Sequence, residues 1–400
     1  MKILFLNVPM QGHINPTLPL VQSLVENGHE VHYYCDASSG SKISGRGAVF
    51  RDYGIAFDGP DPLTNPTMVT GAKIFLELAL ESLDKFLAEW RVSDFDLIIH
   101  DSCAYAGIVA SKELGVPALN STTTLFYTPQ IVLREAWDIA SKDFLRSLFV
   151  SFSDWLKFFR LAFRAKFLYG LLPSTLEVVT CPGKVNVAYT AKEIQPHSSI
   201  LNDESYKYIG SVVEPRPKDE SFPIAALAKG RVIYISLGTI YTKNIEFFQN
   251  CIKALANMPD LTVVISLGPD LDKADLGPLP DRYIVKPFVP QLEVLAKADV
   301  FISHGGTNSL NEALSFGVPM VLCPQQGEQL TASRSFERKG LAISTGKRDP
   351  NADEIRHAVE RILADREYSK RTRRATGFLK RALGLKGAVD LIETLVPAVD

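Results

Sequence analysis

The sequence contains no uninterrupted run of about 18 apolar residues, so a membrane-spanning helix is not expected. Its five cysteines show no C-x-x-C spacing, and an odd number in mostly apolar surroundings favours reduced, buried thiols over a disulfide framework. A formal net charge of −2 provides no overall positive field for nucleic acid. We therefore expect a cytoplasmic protein with no nucleic-acid partner and no stable membrane insertion.

Several nucleotide and metal motifs are also missing. No G-x-G-x-x-G opens the first strand–helix unit, which argues against a nicotinamide or flavin enzyme, and no Walker A motif is present. No two histidines have the spacing of metal ligands on one helix. The sequence thus predicts neither a metal site nor a bound cofactor.

What is present is a repeated alternation of short apolar runs with helical patterns. "KILFLNV", "HEVHYYC", "FDLIIH" and "VPALNST" read as strands without polar alternation, which is typical of parallel sheets covered on both faces. Asn7 and Pro9 interrupt the first apolar run, so we interpret it as a buried strand and not as a leader peptide. The expected class is α/β, with doubly wound Rossmann-like domains.

The best candidate for a linker lies near the middle of the chain. Three prolines and a cluster of charges fall between Glu214 and Pro223, and the strand–helix alternation restarts at "RVIYISLG". We therefore predict a first domain over 1–212, a linker over 213–223 and a second domain over 224–380. A last helix over 381–400 is expected to pack back on the first domain, and a cleft is expected between the domains.

The second domain contains a candidate phosphate site. His304 follows the strand "VFIS" and precedes the helix "TNSLNEAL", with Gly305 and Gly306 between them. Glycines permit a tight turn, and the unpaired N–H groups of a helix N-terminus bind phosphate. Thr307 and its neighbours could instead be ordinary capping residues, and the turn "SLGT" with Gly238 and Thr239 could be a plain connection. The combination of His304, the two glycines and the polar start of the helix favours a nucleotide-sugar as the ligand.

The first domain contains a candidate acid–base pair. His13 follows the first strand, and Asp101 follows "FDLIIH", so both fall at the carboxyl edge of the predicted sheet. An aspartate that accepts a hydrogen bond from histidine fixes its tautomer and raises its basicity, which suits a general base for a hydroxyl. A lone histidine is more often structural, so spacing alone leaves both interpretations open.

These motifs resemble those of a known family. Phe288 to Gln329 closely resembles the nucleotide-sugar signature of family 1 glycosyltransferases, and "GHINPTLPL" resembles their N-terminal active-site turn. The similarity extends over essentially the whole chain and is greatest to macrolide- and flavonoid-type UDP-glycosyltransferases of bacteria. It implies the GT-B fold and metal-independent, inverting transfer of a hexose, with glucose as the expected sugar. A UDP-sugar would be a co-substrate, and a hydrophobic hydroxylated molecule would be the acceptor.

The resemblance also assigns roles to matching positions. His13 would be the catalytic base and Asp101 its partner. The matching donor-binding residues are Phe288, Gln291, His304, Gly306, Asn308, Ser309, Glu312, Glu328 and Gln329. Phe288 and Gln291 would contact uracil, Glu312 the ribose, and His304 with the helix start the diphosphate. Plant members carry Trp at the position of Thr307, and the family's usual Asp-Gln pair is Glu328-Gln329 here.

The acceptor is less defined by the sequence. Candidate contacts are Thr122 and Phe126 in a loop at the ligand edge, and Trp155 and Phe159 in the aromatic and basic stretch 155–173. That stretch could equally pack on the core or contact a membrane peripherally. A UDP-sugar 2-epimerase, a non-catalytic binding module and a lipid-acceptor transferase are the competing interpretations.

Overall fold

The computed structural model describes residues 1–57, 67–134, 151–213, 219–228, 230–238 and 243–396. It divides into two compact units, the first formed by Met1–Val212 with Arg381–Asp400 and the second by Val213–Lys380. Part of the predicted linker, 214–218, lies outside the described residues.

The first unit is built on a parallel sheet in the order β3-β2-β1-β4-β5-β6-β7. Its strands are β1 Lys2–Leu6, β2 Glu30–Cys35, β3 Val49–Asp52, β4 Leu97–Asp101, β5 Ala118–Thr122, β6 Val185–Ala188 and β7 Tyr206–Tyr208. Its helices are α1 Gln11–Ile14, α2 Leu18–Glu26, α3 Gly40–Ser44, α4 Met68–Arg91, α5 Ala106–Leu114, α6 Phe152–Tyr169 and α7 Thr175–Thr180.

Both faces of this sheet are buried, as the lack of apolar/polar alternation in its strands predicts. Alternate residues of β1 point to opposite faces, so Leu4 packs against α4 and α5 while Ile3 and Phe5 pack against α2. A final helix of this unit, numbered α14 in chain order, spans Gly384–Glu393 and contributes apolar residues to the second of these cores. It contacts α2 directly.

The second unit has a parallel sheet in the order β10-β9-β8-β11-β12-β13. Its strands are β8 Arg231–Ser236, β9 Leu261–Ser266, β10 Tyr283–Lys286, β11 Val300–Ser303, β12 Met320–Leu322 and β13 Ala342–Ser344. Its helices are α8 Ile245–Leu255, α9 Gln291–Leu295, α10 Thr307–Ser315, α11 Gly327–Arg338, α12 Ala352–Ala364 and α13 Arg366–Arg381. Over the described parts of the chain, every helix is too short or too polar to traverse a bilayer.

Candidate active site

Each sheet has one place where the strand order reverses. The reversal lies between β1 and β4 in the first unit and between β8 and β11 in the second. Connections leave such a pair of strands on opposite faces, which opens a crevice beyond the carboxyl ends. His13 and Asp101 follow or end the strands of the first reversal, and Gly238 and His304 follow those of the second. The candidate residues thus converge on the two positions where α/β sheets bind ligands.

His13 and Asp101 are joined by a buried hydrogen bond. The Nδ1 atom of His13 lies 2.9 Å from Oδ2 and 3.0 Å from Oδ1 of the carboxylate. Asp101 is fully buried at the end of β4, and His13 is 9% exposed in the short helix α1. Because an ionised carboxylate only accepts, Nδ1 carries the proton and Nε2 keeps the lone pair that a general base needs.

A buried polar network holds the main chain around His13. The side chain of Asn7 donates to the carbonyl of His13 at 3.2 Å and to the hydroxyl of Tyr33. Thr17 donates to the carbonyl of Ile14 at 2.8 Å and lies 2.9 Å from the same hydroxyl. Burial raises the pKa of Tyr33 well above its ordinary value, so the hydroxyl stays protonated. The network ties α1 to β1 and β2, and the sequence analysis did not predict it.

Cys103 is a further residue of this site that the sequence analysis missed. Its N–H donates to Oδ1 of Asp101 at 2.7 Å, which helps to orient the carboxylate. The ligand atoms of His13, Asp101 and Cys103 lie within 4.8 Å of one another, a grouping that a metal ion could use. The sequence signal for this contact is the position of Cys103 two residues after Asp101. A carboxylate at the end of a strand often accepts a hydrogen bond from a main-chain N–H two residues later.

A small cavity lies at the carboxyl ends of β4 and β5. It has a volume of about 20 Å³, which is room for one water-sized group. Thr122 and Phe126, both predicted to contact the acceptor, line it together with Ser102 and Asn120. Within the described parts of the chain, the Ser102 and Thr122 hydroxyls and Oδ1 of Asn120 are buried there without a hydrogen-bond partner. Trp155 and Phe159, the other predicted acceptor residues, lie on α6 and do not line this cavity.

In the second unit, two glycines make room for the ring of His304. Gly238 has φ +79°, and a Cβ there would lie 2.7 Å from Cε1 of His304. A Cβ on Gly306 would lie 2.4 Å from Nε2. Burial lowers the pKa of His304 to about 4, against a smaller opposing effect from a hydrogen bond to the main chain of Ser236. At neutral pH the ring is therefore uncharged, and it would bind phosphate by hydrogen bonding and not by ion pairing.

Helix α10 begins at Thr307, and its N-cap residue makes no side-chain capping bond. The N-cap residue is Gly306, which has no side chain to offer. The hydroxyl of Thr307 is buried and has no partner among the described residues. Asn308 and Ser309 complete the first turn. An oxyanion placed here would meet several donors and the positive end of the helix dipole.

Gln291, the first residue of α9, is hydrogen-bonded to Glu312 of α10, and the two form one polar group. Nε2 of Gln291 donates to the Glu312 carboxylate at 2.5 Å, and the Tyr234 hydroxyl donates to Oε1 of Gln291 at 2.8 Å. The Tyr234 ring is buried and stacks on Phe301 with centroids 4.6 Å apart. The sequence analysis gave Gln291 and Glu312 separate ligand contacts and did not predict this bond. Phe288 is 60% exposed, so its ring face is accessible for stacking.

Glu328 and Gln329 occupy the first turn of α11, beyond the carboxyl end of β12. Glu328 is half-buried, whereas Gln329 is buried with Oε1 accepting from the N–H of Gln325 at 2.8 Å. The side-chain oxygen of Gln329 is therefore hydrogen-bonded within the loop. Its NH₂ group is the part that would contact a sugar. Thr239, the remaining predicted donor residue, lies outside the described residues.

The two doubly wound parallel sheets have the architecture of GT-B glycosyltransferases. The first carries the His13–Asp101 pair, and the second carries the glycine-containing turn before α10. The family model described as UDP-glucoronosyl and UDP-glucosyl transferase matches residues 150–377. The chain belongs to this family and is a family 1 glycosyltransferase, which confirms the predicted family and fold.

Individual relatives agree with that assignment. The chain is 30% identical to NDP-glycosyltransferase YjiC of Bacillus subtilis (strain 168), over 98% of this chain and 97% of the relative. It is 27% identical to oleandomycin glycosyltransferase of Streptomyces antibioticus, over 99% and 91%. The solved structure of the glycotransferase of kitacinnamycin superposes with a TM-score of 0.85 at 26% identity, covering 99% of both chains. These relatives are all glycosyltransferases, so they give the epimerase alternative no support.

Proposed function

We propose that the protein is an inverting, metal-independent glycosyltransferase that moves glucose from UDP-glucose to a hydroxyl of a hydrophobic small molecule, such as a polyphenol or a macrolide. The observation that carries the proposal is the buried hydrogen bond between His13 and Asp101 at the strand reversal of the first unit. The oleandomycin and kitacinnamycin enzymes are named after natural products, which supports an acceptor of that class.

In the proposed reaction, Nε2 of His13 removes the proton of the acceptor hydroxyl while its oxygen attacks the anomeric carbon. The bond from that carbon to the diphosphate breaks, and UDP leaves with the electron pair. Asp101 stabilises the imidazolium, which later releases its proton to water. One displacement inverts the anomeric centre, so an α-linked donor yields a β-glycoside.

The second unit would bind the donor. Its first-turn N–H groups at Asn308 and Ser309 and the neutral ring of His304 would stabilise the negative charge of leaving UDP, in place of a metal ion. Glu312 would accept from the ribose hydroxyls, Gln291 would contact the uracil edge, and Phe288 would stack on uracil. Glu328 and Gln329 would hold the sugar hydroxyls.

The proposal predicts a specific product. Incubation of UDP-glucose with a panel of phenols, macrolides and polyprenyl lipids is expected to yield a β-glucoside of a phenol or macrolide, identified by mass spectrometry and NMR, and EDTA is expected to leave the yield unchanged. UDP-galactose and dTDP-glucose serve as donor controls. An epimerised sugar formed without acceptor, or a glycosylated lipid alone, would contradict it. Loss of turnover in EDTA that Zn²⁺ restores would instead show that a metal ion is required, with His13, Asp101 and Cys103 as the candidate ligands.

The cavity beside Thr122 makes the acceptor side testable. The substitution Thr122→Val removes a buried hydroxyl at nearly constant shape, so the acceptor KM is expected to rise by about fivefold, the effect of one hydrogen bond, with the donor KM unchanged. The matched control is Thr123→Val, since the buried Thr123 hydroxyl also has no partner in the described part of the chain but does not line the cavity. Equal effects of the two variants on acceptor KM would exclude the cavity as an acceptor contact.

A further inference from the structure

Helix α6 is anchored to the first unit along one side. Phe158, Ala162 and Ala165 are buried in the core that α4 and α5 share. Near its start, the Asp154 carboxylate accepts from Lys73 of α4 at 2.8 Å. Near its end, Tyr169 accepts through its main-chain carbonyl from Lys112 in the last turn of α5. The helix therefore runs along the outside of α4, from the carboxyl edge of the sheet towards the amino edge.

The outer side of α6 carries an apolar stripe that the described residues of this unit leave exposed. The stripe consists of Phe152, Leu156, Phe159, Phe163 and Phe167, with 65%, 57%, 49%, 63% and 88% of their surfaces exposed. Their spacing of three or four residues places them on one side of the helix. The stripe covers roughly 22 Å at 1.5 Å per residue, and exposed apolar surface of this extent marks an interaction site.

The charge next to the stripe has one sign. Lys157, Arg160 and Lys166 are exposed on the same helix. The helix contains one acidic residue, Asp154, which is paired with Lys73, and Arg164 is paired with Asp84 of α4. The helix thus has an excess of cations beside four exposed phenylalanine rings, although the Asp154 carboxylate also interacts electrostatically with Lys157.

We propose that this face of α6 docks on the surface of an anionic lipid bilayer. The phenylalanine rings would enter the boundary between headgroups and acyl chains, and Lys157, Arg160 and Lys166 would contact lipid phosphates. A second copy of the chain fits less well, because pairing two such helices across a two-fold axis brings cations against cations. A small acceptor fits less well too, because the stripe extends to Phe167, at the end of α6 far from the edge that carries Asp101.

The proposal is tested by sedimentation of the full chain with vesicles. We expect binding to phosphatidylcholine vesicles that contain phosphatidylglycerol, little binding to phosphatidylcholine alone, and release by salt. The double variant Phe163→Ser/Phe167→Ser is expected to reduce the bound fraction about tenfold, because it removes two exposed rings from contact with lipid. Lys157→Gln/Arg160→Gln is expected to weaken binding only to the anionic vesicles.

Val92→Ser is the control, since Val92 is 78% exposed and lies after α4, away from the stripe. All of the substituted side chains are exposed, and unchanged thermal melting and glucosyl transfer show that each variant is folded. Equal binding to both kinds of vesicle, or wild-type binding by the double serine variant, would overturn the proposal. The proposal would also be overturned if light scattering detected a dimer that the double serine variant abolishes, while the protein binds to neither kind of vesicle. Vesicle binding does not depend on transferase activity, so the two proposals fail separately.

Discussion

The variant His13→Ala is expected to lose about 10²- to 10⁴-fold in kcat, the range for removal of a positioned general base, with little change in the KM for the UDP-sugar. In the proposed reaction the imidazole accepts the proton of the acceptor, whereas the proposed donor-binding residues belong to the other unit of the chain. Steady-state kinetics with varied donor and acceptor, together with UDP binding by calorimetry, measure both parts of the expectation.

Asp101→Asn extends the same experiment. An amide can donate to Nδ1 of His13 and shift the imidazole proton to Nε2, which is the wrong tautomer for a base, so a loss of similar order is expected. The matched control is His32→Ala, because His32 is also a buried histidine of the first unit but bonds to the exposed Glu30. Near wild-type turnover in His13→Ala would refute the base assignment, and an equal loss in His32→Ala would indicate a general structural effect.

The variant Gly306→Ala is expected to raise the KM for the UDP-sugar by about tenfold or more, through loss of phosphate contacts. The backbone there has φ −64°, which alanine adopts without strain. The added Cβ, however, would lie 2.4 Å from Nε2 of His304, so the ring or the start of α10 must move. Either movement would displace hydrogen-bond donors that are proposed to contact the diphosphate.

The comparison for this variant is another glycine that tolerates a methyl group. Gly71 lies in α4, and a Cβ there would be 3.9 Å from Phe75, an ordinary contact, so Gly71→Ala is expected to leave donor KM unchanged. UDP titration by calorimetry separates weaker binding from slower chemistry. If Gly306→Ala bound UDP as tightly as the wild type with unchanged melting, the oxyanion site would not lie at this turn.

The contact between His13 and Asp101 could be predicted although 88 positions separate them. Both residues follow apolar strands without polar alternation, and parallel strands bring their carboxyl ends to one edge of a sheet. The turn between β11 and α10 could be predicted for a related reason: glycines and small polar residues between a strand and a helix have a local geometry that depends little on the rest of the chain. Phosphate binding at this turn stays a prediction.

Contacts that depend on strand order and side-chain direction could not be predicted. Tyr33 and Asn7 read as ordinary strand residues, and they meet only because β2 lies beside β1 in the sheet. The bond between Gln291 and Glu312 likewise needs the relative placement of two helices. On α6 the sequence shows several apolar positions, but only packing decides that Phe158 is buried and Phe159 is outside.

The position of α14 makes the second unit an insertion within the first. Leu20, Val21 and Leu24 of α2 pack in the same core as Ala388 and Val389 of α14, although the whole second unit lies between them along the chain. A fragment cut after residue 212 would leave that side of α2 facing water, and its tendency to self-associate would follow from the missing cover. A peptide of residues 381–396 carries the complementary apolar surface. Added to the fragment, it is expected to bind α2 and complete the first unit as two separate chains.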